Sequence, residues 1–394
     1  MNLHEWLPPL TGRKLLALAL GAAVMLIGTI VVGWTRGRRA ATPRRWWRVL
    51  ASASWRLGVV LLALVMTLGS VFLIANRHFG FYSNWRDVFG IPAEVEVSSV
   101  PDPSASAGAS ATPARPIRRV AISHNNPHPR GLEQVISVPG AEAPYDKVLV
   151  WLPPAHFEKS EQHVKFPVLH FISYYHGSGA DVAKLLNAIN LNNDVIASGK
   201  ASPFIAVYSP ALLRNGIDSE CTDIPGADNL THLVDRIPAA IKSKFRAATS
   251  GRDWYVGGWS TGGFCTANIM FRHPDRYHAG ISIAPYFHPI YDDAQIAASR
   301  PKLVTDNSPL RMVRDGHIKR SRLLVMMSKL DPVSWGTDRN PASEPQGPDG
   351  MQFYEASKKI PGMTFMLMEQ GGHNAQTYIA HMPAAMAWLG EQGL

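Results

Sequence analysis

Residues 255–264, YVGGWSTGGF, decide how this sequence is read. An apolar run enters Gly258-Trp259-Ser260-Thr261-Gly262, and the helix-compatible segment FCTANIMF follows. Strand, G-x-S-x-G and helix in that order form a nucleophile elbow, a sharp turn that presents a serine hydroxyl. A serine on so tight a turn occupies strained backbone. Its neighbours two positions away must be nearly side-chain-free for strand and helix to pack closely. Gly258 and Gly262 meet that demand. In a chain with 32 glycines the same pentapeptide also arises as an ordinary strand-to-helix turn, so the surrounding pattern decides.

From about Ile117, short apolar runs alternate with longer amphipathic segments. The runs are LEQVISVP, KVLVWLPP, VLHFISYY, FIAVYSP, WYVGG, GISIAP, RLLVMMS and MTFMLME. Several are continuously apolar, as strands buried on both faces of a mostly parallel sheet must be. Helices are expected over 181–198, 232–247, 264–271, 351–359 and 377–391. The alternation implies a doubly wound α/β architecture, a mostly parallel eight-stranded sheet with flanking helices. Functional groups in such sheets gather at the carboxyl ends of the strands.

The count of runs then gives the elbow its partners. Ser260 follows the fifth run, Asp331 the seventh (LLVMMSKLDP) and His373 the eighth (MLMEQGGHN). Serine, acid and histidine in that order are the α/β-hydrolase arrangement. A serine hydroxyl is a poor nucleophile until a base takes its proton, the role read for His373. The imidazole needs a carboxylate to fix its tautomer and stabilise its cation, the role read for Asp331, with Asp338 and Asp306 as alternatives. Gly371 and Gly372 let the loop turn His373 back towards the serine. The third run ends in YYHGSG, and backbone N–H groups of Thr261 and Ser178 are the candidate oxyanion donors. His176, His273, His278 and His288 read as structural or solvent-facing. The methionines of VMM and of 363–368 read as core packing. There is no phosphate-binding glycine loop and no H-E-x-x-H, so neither a cofactor nor a metal is expected.

Fold aside, 394 residues leave room for something beyond one large domain. The formal charge is +9, yet residues 1–57 carry nine Lys/Arg and one acid, leaving +1 for the rest. The basic character belongs to the N-terminal end, and a nucleic-acid partner loses its support. Residues 15–34 and 57–75 are apolar and uncharged, each about long enough to cross a ~30 Å hydrocarbon core. The loop 35–56 between them holds seven arginines, which places it in the cytoplasm by the positive-inside rule. Residues 1–14 and everything after 75 then lie outside the cytoplasm, and Trp34, Trp46, Trp47 and Trp55 fit interfacial anchors. A cleaved signal peptide is the other reading of 15–34; no small-x-small site follows it before the arginines. Residues 76–116 comprise an aromatic stretch, NRHFGFYSNWRDVFG, and a Ser/Ala/Pro linker from 98. The α/β domain is expected over 117–394. In that oxidising setting Cys221 and Cys265 are expected to pair, the alternative being two buried thiols.

The turn HGSG, the loop DSECTD, GGWSTGGFCTAN with FRHPDRYHAGISIAPYF, and GGHN before an AWL helix resemble the putative-esterase (esterase D-like) family of α/β-hydrolases. That family includes the secreted mycolyltransferases of actinobacteria, and the two spans resemble actinobacterial membrane-anchored esterases. The resemblance covers roughly 132–390. It implies a serine triad at Ser260, Asp331 and His373 acting on esters. In the mycolyltransferases the acid is usually glutamate, where this chain offers Asp331. The expectation is a multi-pass membrane protein whose extracytoplasmic serine esterase acts on a lipid or acylated glycan of the envelope. An acyltransferase to a sugar hydroxyl and a non-catalytic envelope-binding protein are the alternatives. Acyl length, acceptor and oligomeric state are not written in the sequence.

Overall fold

All eight apolar runs are strands, for the reason their composition gives: most have both faces buried. The computed structural model describes residues 10, 12–37, 46–100, 116–215, 217–291, 294–335 and 349–394. Asp338, residues 38–45 and 101–115, most of 1–14, and the side chains of Trp34, Trp46 and Trp47 lie outside the described residues. The described chain divides into two units, Met1–Ile91 with Gly371–Asn374, and Pro92–Gln370 with Ala375–Leu394.

In the second unit the strands are β1 (Val95–Ser99), β2 (Leu132–Ser137), β3 (Lys147–Leu152), β4 (Val168–Ile172), β5 (Ile205–Ser209), β6 (Asp223–Ile224), β7 (Ala227–Asp228), β8 (Trp254–Trp259), β9 (Ala279–Ile283), β10 (Leu323–Ser328) and β11 (Met363–Met368). Nine form one sheet, in the order β1-β11-β10-β9-β8-β4-β5-β3-β2, and β6 and β7 make a separate hairpin. The run from β11 to β5 is parallel, while β1, β3 and β2 pair antiparallel at the two sides. The sheet thus has one strand more than the eight expected. The extra strand, β1, falls in the stretch read as juxtamembrane segment and linker. Its residues are largely exposed and half polar, so it joins the sheet by backbone pairing to β11 without an apolar signature.

Strand β8 stands fifth of nine, at the centre of the sheet. Its alternate residues feed two cores, Trp254 and Val256 one, Tyr255 and Trp259 the other. Strand β10 divides the same way, Leu323, Val325 and Met327 against Leu324 and Met326. This period of two, buried on both sides, is why these segments read as continuous apolar runs. Each such fully buried aliphatic or aromatic side chain stabilises the fold by roughly 1.5–3 kcal/mol.

Two expected helices are interrupted. The segment at 181–198 becomes Gly179–Leu185 and Ala188–Ala197, broken at Asn187, whose φ is 49°. The segment at 377–391 becomes Ala375–Ile379 and Met382–Glu391, and Pro383 sits in the first turn of the second.

The first unit holds α1 (Arg13–Gly37), α2 (Trp46–Phe79) and α3 (Trp85–Val88). Arg13–Val32 and Ala53–Arg77 are each long and apolar enough to cross a membrane, with a mean hydropathy of 2.7. Three of their hydroxyls are satisfied within the helix: Thr29 donates to the Met25 carbonyl, Thr67 to Ala63 and Ser70 to Met66. Such internal pairing is what a hydrocarbon solvent requires of a polar group.

Candidate active site

The geometry at Ser260 follows from its two glycines. Ser260 has φ 55° and ψ −114°, between the end of β8 and helix α4 (Thr261–Arg272). For a residue with a Cβ this conformation costs of order 1–3 kcal/mol, so it persists only where packing enforces it. A Cβ at Gly258 would lie 2.1 Å from the Gly262 carbonyl oxygen, and one at Gly262 would lie 2.2 Å from that of Ile172. The end of β4 therefore abuts the elbow. The Ser260 N–H donates to Ile283 on β9 (2.8 Å), and the Phe264 N–H returns to the Ser260 carbonyl (2.9 Å). Ser260 is half-buried at the carboxyl end of the central strand.

Asp331 follows β10 and is fully buried. Its Oδ1 accepts the N–H groups of Val333 (2.9 Å) and Ser334 (3.1 Å), and its Oδ2 accepts the Tyr378 hydroxyl at 2.7 Å. The same hydroxyl accepts the Ser328 N–H (3.3 Å), and the Tyr378 ring stands edge-on to Trp259, centroids 5.3 Å apart. Tyr378 thus joins Trp259, which precedes Ser260, to Asp331. Nothing in its local sequence marks it, because its partners lie 47 and 119 positions away.

The oxyanion candidates fare differently. Thr261 is buried as the first residue of α4, where N–H groups lack intrahelical acceptors. The Ser178 N–H instead donates to Asp181 Oδ2 (2.9 Å), half of a capping box on helix Gly179–Leu185. It is committed there, contrary to the expectation for Ser178, because Ser at the N-cap with Asp at N3 satisfies its own helix start first.

Cys221 and Cys265 are joined by a disulfide, Cα atoms 5.5 Å apart, which ties the loop after β5 to α4. Beside it lies a group the sequence did not announce. Glu220, at φ 48°, accepts the Tyr286 hydroxyl at 2.9 and 2.7 Å, and that hydroxyl lies 3.3 Å from Thr261 Oγ1. Burial, reinforced by the negative charge of Asp218, pushes the Glu220 carboxyl well above the ordinary carboxylate range. The signal was two acids flanking Ser219 in DSEC, which the cysteine obscured.

The His288 Nδ1 pairs with buried Asp349 at 2.5 Å. Its Nε2 is buried without a hydrogen-bond partner. Asp349 additionally accepts the Phe287 N–H (2.8 Å) and so fixes the chain after β9. Among the described residues no group of three His, Cys, Asp or Glu is arranged to hold a metal ion. A cavity lined by Lys242, Trp254, Arg276 and Tyr277 opens at the other end of β8, away from Ser260.

His373 belongs to the first unit. Its N–H donates to the Gly80 carbonyl (3.1 Å), and the N–H of Gly372 donates to Asp87 Oδ2 (3.1 Å). Gly371, at φ 120°, occupies backbone that only glycine adopts readily.

A family model described as "Putative esterase" matches residues 146–389. A protein of Corynebacterium glutamicum, described as "Uncharacterized protein", is 40% identical over 57 residues, 14% of this chain, and the match spans 13% of that protein's length. A ferulic acid esterase structure is similar with a TM-score of 0.53 and 18% identity, over 66% of this chain and 96% of that one. An S-formylglutathione hydrolase from Agrobacterium tumefaciens is similar with a TM-score of 0.51 and 18% identity, over 67% of this chain and 96% of its own. At such identities these two likenesses establish a shared fold. The family match covers more than half of the sequence, with the elbow inside it, and the chain belongs to the putative esterase family.

Proposed function

We propose that this chain is a membrane-anchored serine esterase whose catalytic domain faces away from the cytoplasm, with Ser260 as nucleophile, His373 as base and Asp331 as acid. The observation that carries the reading is the backbone of Ser260, held at φ 55° and ψ −114° between the central strand and a buried helix. Such strain is retained where packing pays for it at a working residue. Family membership supplies the reaction class, cleavage of an ester.

Ser260 Oγ attacks the ester carbonyl carbon while its proton passes to the His373 imidazole. The imidazolium is stabilised by the Asp331 carboxylate, itself fixed by the N–H groups of Val333 and Ser334 and by Tyr378. The Thr261 N–H donates to the tetrahedral oxyanion, a donor worth roughly 2.7–4 kcal/mol in such sites. The imidazolium returns its proton to the leaving alcohol, leaving an acyl group on Ser260. Water then attacks, giving its proton to His373, and the acid leaves as Ser260 is reprotonated.

Residues 15–34 and 57–75 act as spans, and the arginine-rich loop 35–56 holds the cytoplasmic side. A multi-pass protein in the cell membrane that presents its domain to the envelope meets lipid or acylated glycan esters there. The test is hydrolysis of p-nitrophenyl esters of increasing chain length by the purified full chain. Ser260→Ala and His373→Ala are expected to lower kcat by about 10⁴ or more. His288→Gln should leave it within a few-fold of the parent; loss in that variant with retention in His373→Ala would move the base to His288. Product analysis with trehalose present separates water from a sugar as acceptor, and protease protection in spheroplasts tests the topology.

A further inference from the structure

The loop that carries His373 is gripped by the segment that follows α2. Asn76, almost fully buried, donates through Nδ2 to the Tyr82 carbonyl (2.8 Å), accepts the Tyr82 N–H (2.7 Å) and receives the Gly80 N–H on its own carbonyl (2.7 Å). The chain is thereby folded back as the apolar helix ends. Five residues beyond Tyr82, Asp87 completes the capping box of the short helix α3, and its Oδ2 collects the Ser83 N–H (2.7 Å), the Ser83 hydroxyl (2.6 Å) and the Asn84 N–H (3.3 Å). To these it adds the Gly372 N–H at 3.1 Å, across 285 positions of sequence.

The neighbouring groups repeat the pattern. Gly371 donates its N–H to Ser83 Oγ (3.2 Å), His373 donates its own to the Gly80 carbonyl (3.1 Å), and the Asn374 side chain donates to the Phe81 carbonyl. Three consecutive backbone N–H groups, 371 to 373, are therefore all given to residues 80–87. A Cβ at Gly372 would lie 2.3 Å from the Phe81 oxygen and 2.6 Å from that of Gly80, so only glycine permits the approach. Gly-Gly is the most freely jointed pair a chain can contain. Left alone it would spread a following histidine over many positions. A base must instead be held within about half an ångström, and a misplacement of about 1 Å costs on the order of 10²-fold in rate.

We propose that Asp87, with Ser83, is a positioning residue for His373: the segment Gly80–Asp87 fixes the backbone of the histidine loop and so the station of the base. The inference rests on the reading of His373 as that base. Asp87 touches no reacting atom; it acts through the loop. The consequence is that catalytic competence depends on a stretch directly continuous with an apolar helix, outside the residues 146–389 that the family model matches.

The test uses the full chain purified in detergent. In Asp87→Ala, kcat for p-nitrophenyl acetate should fall about 10- to 100-fold with KM within about twofold, and fluorophosphonate labelling should slow by the same factor. Asp87→Asn, which keeps one acceptor oxygen in place, should recover part of the loss. The double variant Asp87→Ala/His373→Ala should label no more slowly than His373→Ala alone, because nothing remains to be positioned. Should Asp87→Ala not fold, Ser83→Ala, which removes the acceptor of the Gly371 N–H and the hydroxyl that donates to Asp87, should show a several-fold loss with the same split between kcat and KM. Parental activity in both Ser83→Ala and Asp87→Asn overturns the proposal. So does an equal loss on adding Asp87→Ala to His373→Ala, which would mean general disruption. Ser260→Ala run in parallel keeps the two claims apart: an inactive Ser260→Ala beside fully active Asp87 and Ser83 variants sinks the positioning role alone, and an active one sinks the triad and this role with it.

Discussion

Replacing Tyr378 by phenylalanine removes one oxygen and leaves the ring where it stands, edge-on to Trp259 at 5.3 Å. That oxygen donates to Asp331 Oδ2 at 2.7 Å and accepts the Ser328 N–H at 3.3 Å. Asp331 is fully buried, so water has no route to replace the bond. Loss of a hydrogen bond to a buried charged group costs about 1.5–3 kcal/mol. For a domain of this size that corresponds to a fall in Tm of roughly 3–12 °C. The Val333 and Ser334 N–H groups still hold Oδ1, so the carboxylate should stay near its place and the effect on catalysis should be the smaller one. The expectation for Tyr378→Phe is a fall in kcat of several-fold with KM unchanged. Thermal melts of the full chain in detergent, followed by near-ultraviolet circular dichroism, give the first quantity and ester hydrolysis the second. A Tm within 1 °C of the parent together with an unchanged kcat would refute the assignment of Tyr378 as the support of Asp331.

The disulfide closes a loop of 44 positions, and removing it as Cys221→Ser/Cys265→Ser should cost up to about 4 kcal/mol by the chain-entropy relation, read as a drop in Tm. Glu220→Gln should do the reverse. A carboxyl whose folded pKa is raised contributes stability below its unfolded value near 4.5 and loses it as pH rises, so the variant's Tm should exceed the parent's by a margin that grows above pH 4.5; a margin independent of pH would contradict this. His170 is held near pKa 3 by burial and then by repulsion from His232, itself held near 4 by burial and then by Arg236. Both are neutral in the fold and charge once unfolded, so their stability is present above pH 6.5 and is lost as pH falls towards 4. Tm should decline over that window, and His170→Gln should flatten the decline.

The parts of the fold that were legible are those whose signal is local. Strands buried on two faces announce themselves as unbroken apolar runs, so β2 to β5 and β8 to β11 could be numbered, and numbering placed Ser260, Asp331 and His373 after the fifth, seventh and eighth. Strand β1 could not be seen, since VEVSS joins by its backbone at an edge and buries little. The break at Asn187 was hidden because a left-handed asparagine leaves no gap in the apolar pattern around it. The Ser178 N–H was misassigned because Asp181, three residues on, competes for it through a capping box that was itself visible in SGAD. What sequence order cannot supply are the distant partners: Tyr378 on Asp331, Glu220 and Tyr286 beside Thr261, and Asp87 on Gly372. Each of these joins groups tens to hundreds of positions apart, where no periodicity reaches.

The most direct test of the central claim is to treat the full chain with a fluorophosphonate and locate the adduct by peptide mass spectrometry. The expected result is one phosphonylated residue, Ser260, in the peptide containing GGWSTGGF, with labelling abolished in Ser260→Ala and slowed by orders of magnitude in His373→Ala. An adduct on any other residue, or labelling that survives Ser260→Ala, would contradict it.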